Sequence, residues 1–474
     1  MLGASRLISR SVELANEILD RHKGIELIWP VSGVLRFVAA DLPRLAAFLW
    51  DLRLAIEDGG MSVSIGIIEQ SGDFYKDLEE VEDRVRHQKD AKTGAEALPT
   101  LPYFAPCQIQ PLLSANYWEA RYDEPSRRDL RSRQSKLREE LHYAKRPSLS
   151  WGLNLGGTKL PEDMDDLVIS EADSYVALLK ADVDGLGRLL TRLKFEELGR
   201  ELEVPAPEAG RLFSVALNDC VVGSVQAGFD ELSPRSANRF YPFVPFIAAG
   251  DDLFVASQRH LALELACKVG RDYAERTREN NVIQKALAVS GLKDEPLTLS
   301  FGILFAKKGF PMEAGSEMAE ELVRNAKTKR HALKYKEGCV DFHWLASTGR
   351  EQVGEARMRG ETVRDGEVTM HLHTRPWVLS ELEQALEGAE KLARLPRRKL
   401  KQLEPILRLG TDFSDLAYER WWSGLRREER ELFEKALSLL QWPSHEGRPE
   451  LWVDGANRFL ELSLLTEITA HGDA

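Results

Sequence analysis

The sequence predicts an α+β protein: two related α+β domains with a separate helical domain behind them. Three observations carry this. One order of elements occurs twice, short motifs recur at near-equal spacing within both copies, and a 3.6-residue leucine period takes over after Trp377. In the first copy, residues 1–23 read as an amphipathic helix, with Leu7, Ile8, Val12, Leu14, Ala15 and Ile18 on or near one face. Ile25 to Ala39 is an apolar stretch broken by Ser32-Gly33, the pattern of a hairpin. Leu42 to Ile56 then reads as a helix, Ser62 to Ile68 as a strand, and Phe74 to Lys92 as a charged helix.

The second copy repeats the order. Leu212–Val225 is a helix, Phe243–Ala256 a strand–turn–strand, Leu261–Arg278 a helix, Leu297–Ala306 a strand and Met312–Lys334 a helix. PVSGVLRFVA (Pro30–Ala39) lies over PFIAAGDDLFVA (Pro245–Ala256), SVSIGII (Ser62–Ile68) over TLSFGIL (Thr298–Leu304), and DAKTG (Asp90–Gly94) over NAKTK (Asn325–Lys329). The matches predict an internal duplication; chance resemblance of short apolar stretches is the alternative. Between the copies lies a polar connector, residues 107–170, whose basic stretch Arg127–Arg146 reads as a solvated helix. Arg350–His373 is polar, and Trp377–Ala474 is helical with breaks at Pro396, Gly410 and Pro443. The expected domains are 1–106, 107–170, 171–345 and 346–474.

Composition narrows the class. Hydrophobic residues make up 43% and charged residues 30%, as in a soluble globular protein. No apolar run reaches the roughly 20 residues that span a bilayer, and no signal-peptide pattern opens the chain, so no membrane partner is expected. Cys107, Cys220, Cys267 and Cys339 are scattered without a CxxC pair, which predicts a reducing cytoplasm, no disulfide framework and no zinc site. A net charge of −12 excludes coating nucleic acid by charge alone but leaves room for a local basic groove.

Two stretches carry chemistry. Tyr175–Ala181 is an apolar strand apart from Lys180, and it runs into Asp182-Val183-Asp184-Gly185-Leu186-Gly187. Gly185 and Gly187 free the backbone for close approach to a ligand; an ordinary Asp/Gly turn is the bland alternative. Phe246–Ala249 is a second apolar strand, ending at Gly250-Asp251-Asp252. Adjacent carboxylates at a hairpin tip repel each other unless a cation lies between them. Neighbouring strands lie about 4.8 Å apart, so Asp182, Asp184, Asp251 and Asp252 are candidate ligands for a pair of Mg²⁺ or Mn²⁺ ions. Gly250 is a candidate for nucleotide approach. Lys327 is a candidate phosphate contact, or a surface lysine of the Lys327–Lys334 charge run.

Strand–DxDG, helix, strand–GDD hairpin, helix, SFG strand, AK helix: this order resembles the palm of nucleotide cyclases and polymerases. In particular it resembles the large subunit of type III CRISPR effector complexes, the cyclic oligoadenylate synthase. The resemblance rests on KADVDGLG (Lys180–Gly187), AAGDDLFV (Ala248–Val255), LSFGILFAKKGFPM (Leu299–Met312), ELVRNAK (Glu321–Lys327) and LGASRLISR (Leu2–Arg10). It implies two ferredoxin-like palms, the first degenerate, with Gly33-Val34-Leu35 where the second has Gly250-Asp251-Asp252, plus the C-terminal helical domain. It implies ATP as substrate, two Mg²⁺ or Mn²⁺ ions and in-line attack of a 3′-hydroxyl on an α-phosphate between the palms. Asp182, Asp251 and Asp252 are catalytic, with Asp184 and Asp252 as ligand or support. Gly185, Gly187, Gly250 and Lys327 contact nucleotide. The implied partners are a guide-RNA ribonucleoprotein with backbone and small subunits, and target RNA as activator.

Three departures bear on what carries over. The first glycine of the hairpin motif is Ala249, which predicts slower activity. No His-Asp dipeptide occurs and the chain opens at the LGAS helix, so DNA cleavage by an HD nuclease domain and the opening strand of the first palm are not expected. Cysteines for a zinc ribbon between the palms are lacking apart from Cys107. A scaffold without chemistry, a stand-alone cyclase and a primer-extending polymerase remain as rivals; Leu253-Phe254 after the aspartates disfavours a GGDEF-type cyclase. Outside the motifs, Arg394, Arg397, Arg398, Lys399 and Lys401 read as a solvated face or an RNA contact, Trp421-Trp422 as core anchors, and His343 as a structural strand residue.

Overall fold

The computed structural model describes residues 2–31, 34–58, 63–72, 74–93, 117–120, 128–131, 153–155, 159–170, 173–334, 336–346, 352–366 and 368–470. The chain divides into two compact units. One comprises Met1–Asn154, Arg188–Val222 and Glu279–Asp294; the other comprises Leu155–Gly187, Gly223–Arg278 and Glu295–Ala474.

The first unit opens with α1 (Leu2–Leu19), β1 (Ile25–Val31), β2 (Val34–Ala39), α2 (Leu42–Asp58) and α3 (Phe74–Thr93). β1 and β2 pair antiparallel, with Val31 opposite Val34. The expected turn residues Ser32 and Gly33 lie outside the described residues. Phe48, Leu52 and Ile56 follow one another at four-residue steps, so α2 presents them as a single stripe to Ala15 and Ile18 of α1.

Two expectations are corrected in this unit. Residues 63–70 form no strand. Side chains of α3 serve that backbone instead: Ile65 N–H donates to Gln88, and Arg84 donates to the Ile67 carbonyl. Groups that a neighbouring strand would pair are thereby satisfied locally. The close approach depends on Gly66, where a Cβ would stand 2.7 Å from the Val81 carbonyl oxygen. The basic connector is also not helical where it is described. Arg128–Arg131 forms β4, paired antiparallel with β3 (Tyr117–Ala120), with Trp118 opposite Leu130 in the register. Residues 132–146 lie outside the described residues.

The second unit is built on a six-stranded sheet. Its strands are β5 (Tyr175–Asp184), β6 (Phe243–Ala249), β7 (Asp252–Gln258), β8 (Thr298–Lys307), β9 (Cys339–Trp344) and β12 (Trp377–Val378). The spatial order is β12-β9-β8-β5-β7-β6. β5 through β8 give the split β-α-β order of a ferredoxin-like fold, in which β5 lies between antiparallel β7 and β8. β5 is apolar because both its faces are covered: Ala177, Leu178, Leu179 and Ala181 are all buried. Pro245, which cannot donate to a ladder, lies in edge strand β6 beside a bulge.

Chain segments between the strands supply the helices α4 (Leu186–Arg192), α5 (Phe195–Leu202), α6 (Ala206–Leu232), α7 (Ala262–Glu279), α8 (Asn281–Val289) and α9 (Met312–Leu333). The absence of a membrane-length apolar segment does not hold for α6. Residues Ala206–Arg235 are long and apolar enough to cross a membrane, yet more than half of their most apolar stretch is buried, as in a core helix. α9 lies on one face of the sheet. It comes so close to β8 that a Cβ on Gly302 would stand 2.5 Å from the Val323 nitrogen and 2.8 Å from Leu322 Cβ. Gly302 and Gly66 thus do the same work at matching motif positions.

Beyond β9 come α10 (Val353–Gly360), the hairpin β10 (Thr362–Asp365) and β11 (Val368–His371), and the helical region that opens with α11 (Leu379–Leu392). Trp421 and Trp422 are buried there against Tyr418 and Phe433, as core anchors. The last helix, Phe459–Thr469, is tied to the sheet: Arg259, just past β7, donates to the Glu467 and Ile468 carbonyls. His343 lies buried in β9, and burial pushes its pKa down to about 4.

Candidate active site

Register places the acidic residues. In β5, Asp182 is paired with Asp252 of β7 on one side and with Ser300 of β8 on the other. Residues opposite each other in a sheet share a face, with Cα atoms about 4.5–5.5 Å apart. The two carboxylates therefore emerge together, at the end of β5 where the chain leaves the sheet. Asp251 sits in the turn between β6 and β7, which Gly250 makes possible with a φ of +67°. Gly185 does the same after β5 with a φ of +81°.

Helix α9 covers this face. Glu320 and Lys327 are seven residues apart, hence on one stripe of the helix. Lys327 Nζ lies 2.8 Å from Asp182 Oδ1 and donates to the Val183 carbonyl at 3.2 Å. Glu320 accepts from Lys180 at 3.1 Å, and the Lys180 ammonium lies 5.4 Å from the Phe254 ring centre.

Burial first, and the crowding of acids second, raises their proton affinity. Partial burial raises the Asp182 pKa, Lys327 opposes that rise, and Asp251 and Glu320 add to it. Asp252 is pushed up to about 6 by burial and by the charges of Asp251, Asp182 and Glu320. Acids that raise one another's proton affinity form a hard-oxygen donor set suited to Mg²⁺ or Mn²⁺. Among the described residues, however, no group of three or more His, Cys, Asp or Glu side chains is gathered as a finished ion cage.

The other expected residues sort out differently. Asp184 is 2% exposed. Its Oδ2 accepts from Thr298 at 2.8 Å and from Ser300 at 2.9 Å, and Arg330 Nε lies 3.3 Å away. One oxygen of this carboxylate is thus already engaged by three side chains. Gly187 lies within α4, and a Cβ there would meet nothing within 4 Å among the described residues, so no contact demands glycine. Sequence reasoning missed Glu320, Arg330, Thr298 and Ser300. The signals were slight: two-turn spacing from Glu320 to Lys327, and alternation of Thr298 and Ser300 along β8. Lys180 was visible as the single polar break in an apolar strand.

The sheet is ferredoxin-like, with an aspartate on each of two neighbouring central strands. Residues 175–334 match the family model of the Cas10/Cmr2 second palm domain. That stretch of the chain is thus similar to a Cas10/Cmr2 second palm domain. Among solved structures it is similar to Csm1 of T. onnurineus, at 16% identity and a TM-score of 0.49 over 98% of this chain and 65% of that one. It is also similar to a Csm1–Csm4 cassette in complex with cA4, at 16% identity, a TM-score of 0.47 and the same coverage. A third likeness is to a Csm1–Csm4 subcomplex of the type III-A CRISPR-Csm interference complex, at 16% identity and a TM-score of 0.46, over 99% of this chain and 66% of that one. The chain thus spans about 65% of the length of the first two. No curated protein sequence matches it.

Proposed function

We propose that this chain is a type III CRISPR effector large subunit that converts ATP into cyclic oligoadenylate when its complex holds target RNA. The observation that carries the reading is the pairing of Asp182 with Asp252, beside Asp251, in a stretch similar to a Cas10/Cmr2 second palm domain. Asp182, Asp251 and Asp252 would hold two Mg²⁺ or Mn²⁺ ions. When bound, such ions supply Lewis-acid activation of the attacking 3′-hydroxyl and charge neutralisation at the α-phosphate.

The chain's own residues do the rest. Gly185 and Gly250 let backbone approach the nucleotide without a Cβ in the way. Lys327 offers its ammonium to phosphate oxygens as a point charge. Lys180 holds Glu320 at the rim of the acidic cluster. Asp184, sealed beneath, fixes the end of β5 through Thr298, Ser300 and Arg330, so that Asp182 is presented in one place. Catalysis of this kind is positioning and electrostatics, and loss of an acidic ligand costs orders of magnitude in rate.

The test is incubation of the target-RNA-bound complex with ATP and Mg²⁺ or Mn²⁺, with products separated by chromatography. Cyclic product from wild type and none from Asp251→Ala/Asp252→Ala supports the reading; equal product from both removes the site. A scaffold without chemistry is the second reading, favoured by the lack of a finished ion cage among the described residues. A titration with no divalent affinity selects it.

A further inference from the structure

Two cations on one stripe of α9 neutralise two aspartates on one strand. Lys327 meets Asp182, and Arg330, three residues on, meets Asp184. The pairs differ in access. Arg330 and Asp184 side chains are 15% and 2% exposed, whereas Lys327 and Asp182 are each 34% exposed. The inner pair is sealed and the outer pair is open to ions.

The outer ammonium is also held by two oxygens of consecutive residues, the Asp182 carboxylate and the Val183 carbonyl. Tight packing of α9 on β8 at Gly302 holds the helix against the sheet. A long, flexible lysine stem nevertheless lets the head group move while the helix stays still.

Resting on the metal-dependent reading above, we infer that Lys327 is the internal counterion of the site: it holds Asp182 in place of a divalent cation and yields it when the ion enters. The released ammonium is then free to meet the nucleotide's phosphates. Ion and nucleotide therefore help each other bind, because each favours the arrangement in which Lys327 has left Asp182, and such coupling is reciprocal. The site so built binds a bare divalent ion weakly and an ion–nucleotide complex well. Asp182 stays paired when neither is present.

The experiment measures Mn²⁺ binding to the full chain without nucleotide, from the free-ion paramagnetic resonance signal. It compares wild type, Lys327→Met, Lys327→Arg and Asp182→Asn. Lys327→Met is expected to bind Mn²⁺ about fivefold more tightly, the equivalent of one partly exposed ion pair no longer to be broken. Lys327→Arg, which keeps the charge, stays near wild type, and Asp182→Asn loses affinity. If Lys327→Met does not fold, Lys327→Gln is measured in its place with the same expectation. Asp182→Asn weakening Mn²⁺ while the neutral Lys327 variant binds no more tightly than wild type overturns the counterion and leaves the site standing. Unchanged affinity in Asp182→Asn overturns the site reading, and the counterion falls with it.

Discussion

Asp252 makes the acidic cluster a cost to the folded chain, and that cost has a pH dependence. Its carboxyl is pushed up to about 6 from an ordinary 3.8. At 1.36 kcal/mol per pKa unit, a shift of about two units corresponds to about 3 kcal/mol. The residue is crowded by its neighbours yet keeps solvent access, so screening reduces the figure to about 1 kcal/mol. The sign follows from linkage. The folded protein holds the proton more tightly than the unfolded chain does, so stability is full below about pH 4 and is lost as pH rises through about 6. Asp252→Asn removes the ionisable group. Without divalent ions, the variant should match wild type near pH 4 and exceed it by about 1 kcal/mol at pH 7, or about 2 °C in Tm. Thermal unfolding followed by circular dichroism from pH 4 to pH 8 in chelator reads this directly. Saturating Mn²⁺ at pH 7 should close the gap by stabilising wild type alone. A gap that does not change with pH, or a variant less stable than wild type at pH 7, would refute the argument that burial and the neighbouring acids together disfavour this carboxylate.

Two further substitutions separate the architecture from the chemistry. Gly302→Ala puts a Cβ against the Ala319 carbonyl and the Val323 nitrogen, atoms of helix backbone that cannot turn aside; it should cost about 1–3 kcal/mol in urea denaturation. Asp184→Asn leaves Arg330 without its carboxylate in a site that is all but closed to water, so about 2–3 kcal/mol of stability should be lost. Mn²⁺ affinity, measured under native conditions, should change much less than in Asp182→Asn.

The two aspartates of the DxD segment show where sequence reading stops. Asp182 was legible because its signal is local: an apolar strand, an acid at its end and a glycine after it. The hairpin acids were legible for the same reason. Alternation along β5 puts Asp182 and Asp184 on one face, so nothing nearby in sequence says which is open and which is sealed. The answer comes from Thr298 and Ser300, over 110 residues away, and from Arg330 in α9. It is a property of strand order β8-β5-β7, which no periodicity encodes. The first copy fails for the converse reason. Ser62–Ile68 has the composition of a strand, but a strand needs a neighbour's backbone, and here Gln88 and Arg84 of α3 provide the donors and acceptors instead. The matching segment of the first copy has the helix, the glycine and the close approach, while side chains serve the backbone that a sheet neighbour would pair. In the second copy β7 and β8 both flank the strand bearing Asp182, and an acid on each of two neighbouring strands thereby reaches the same face.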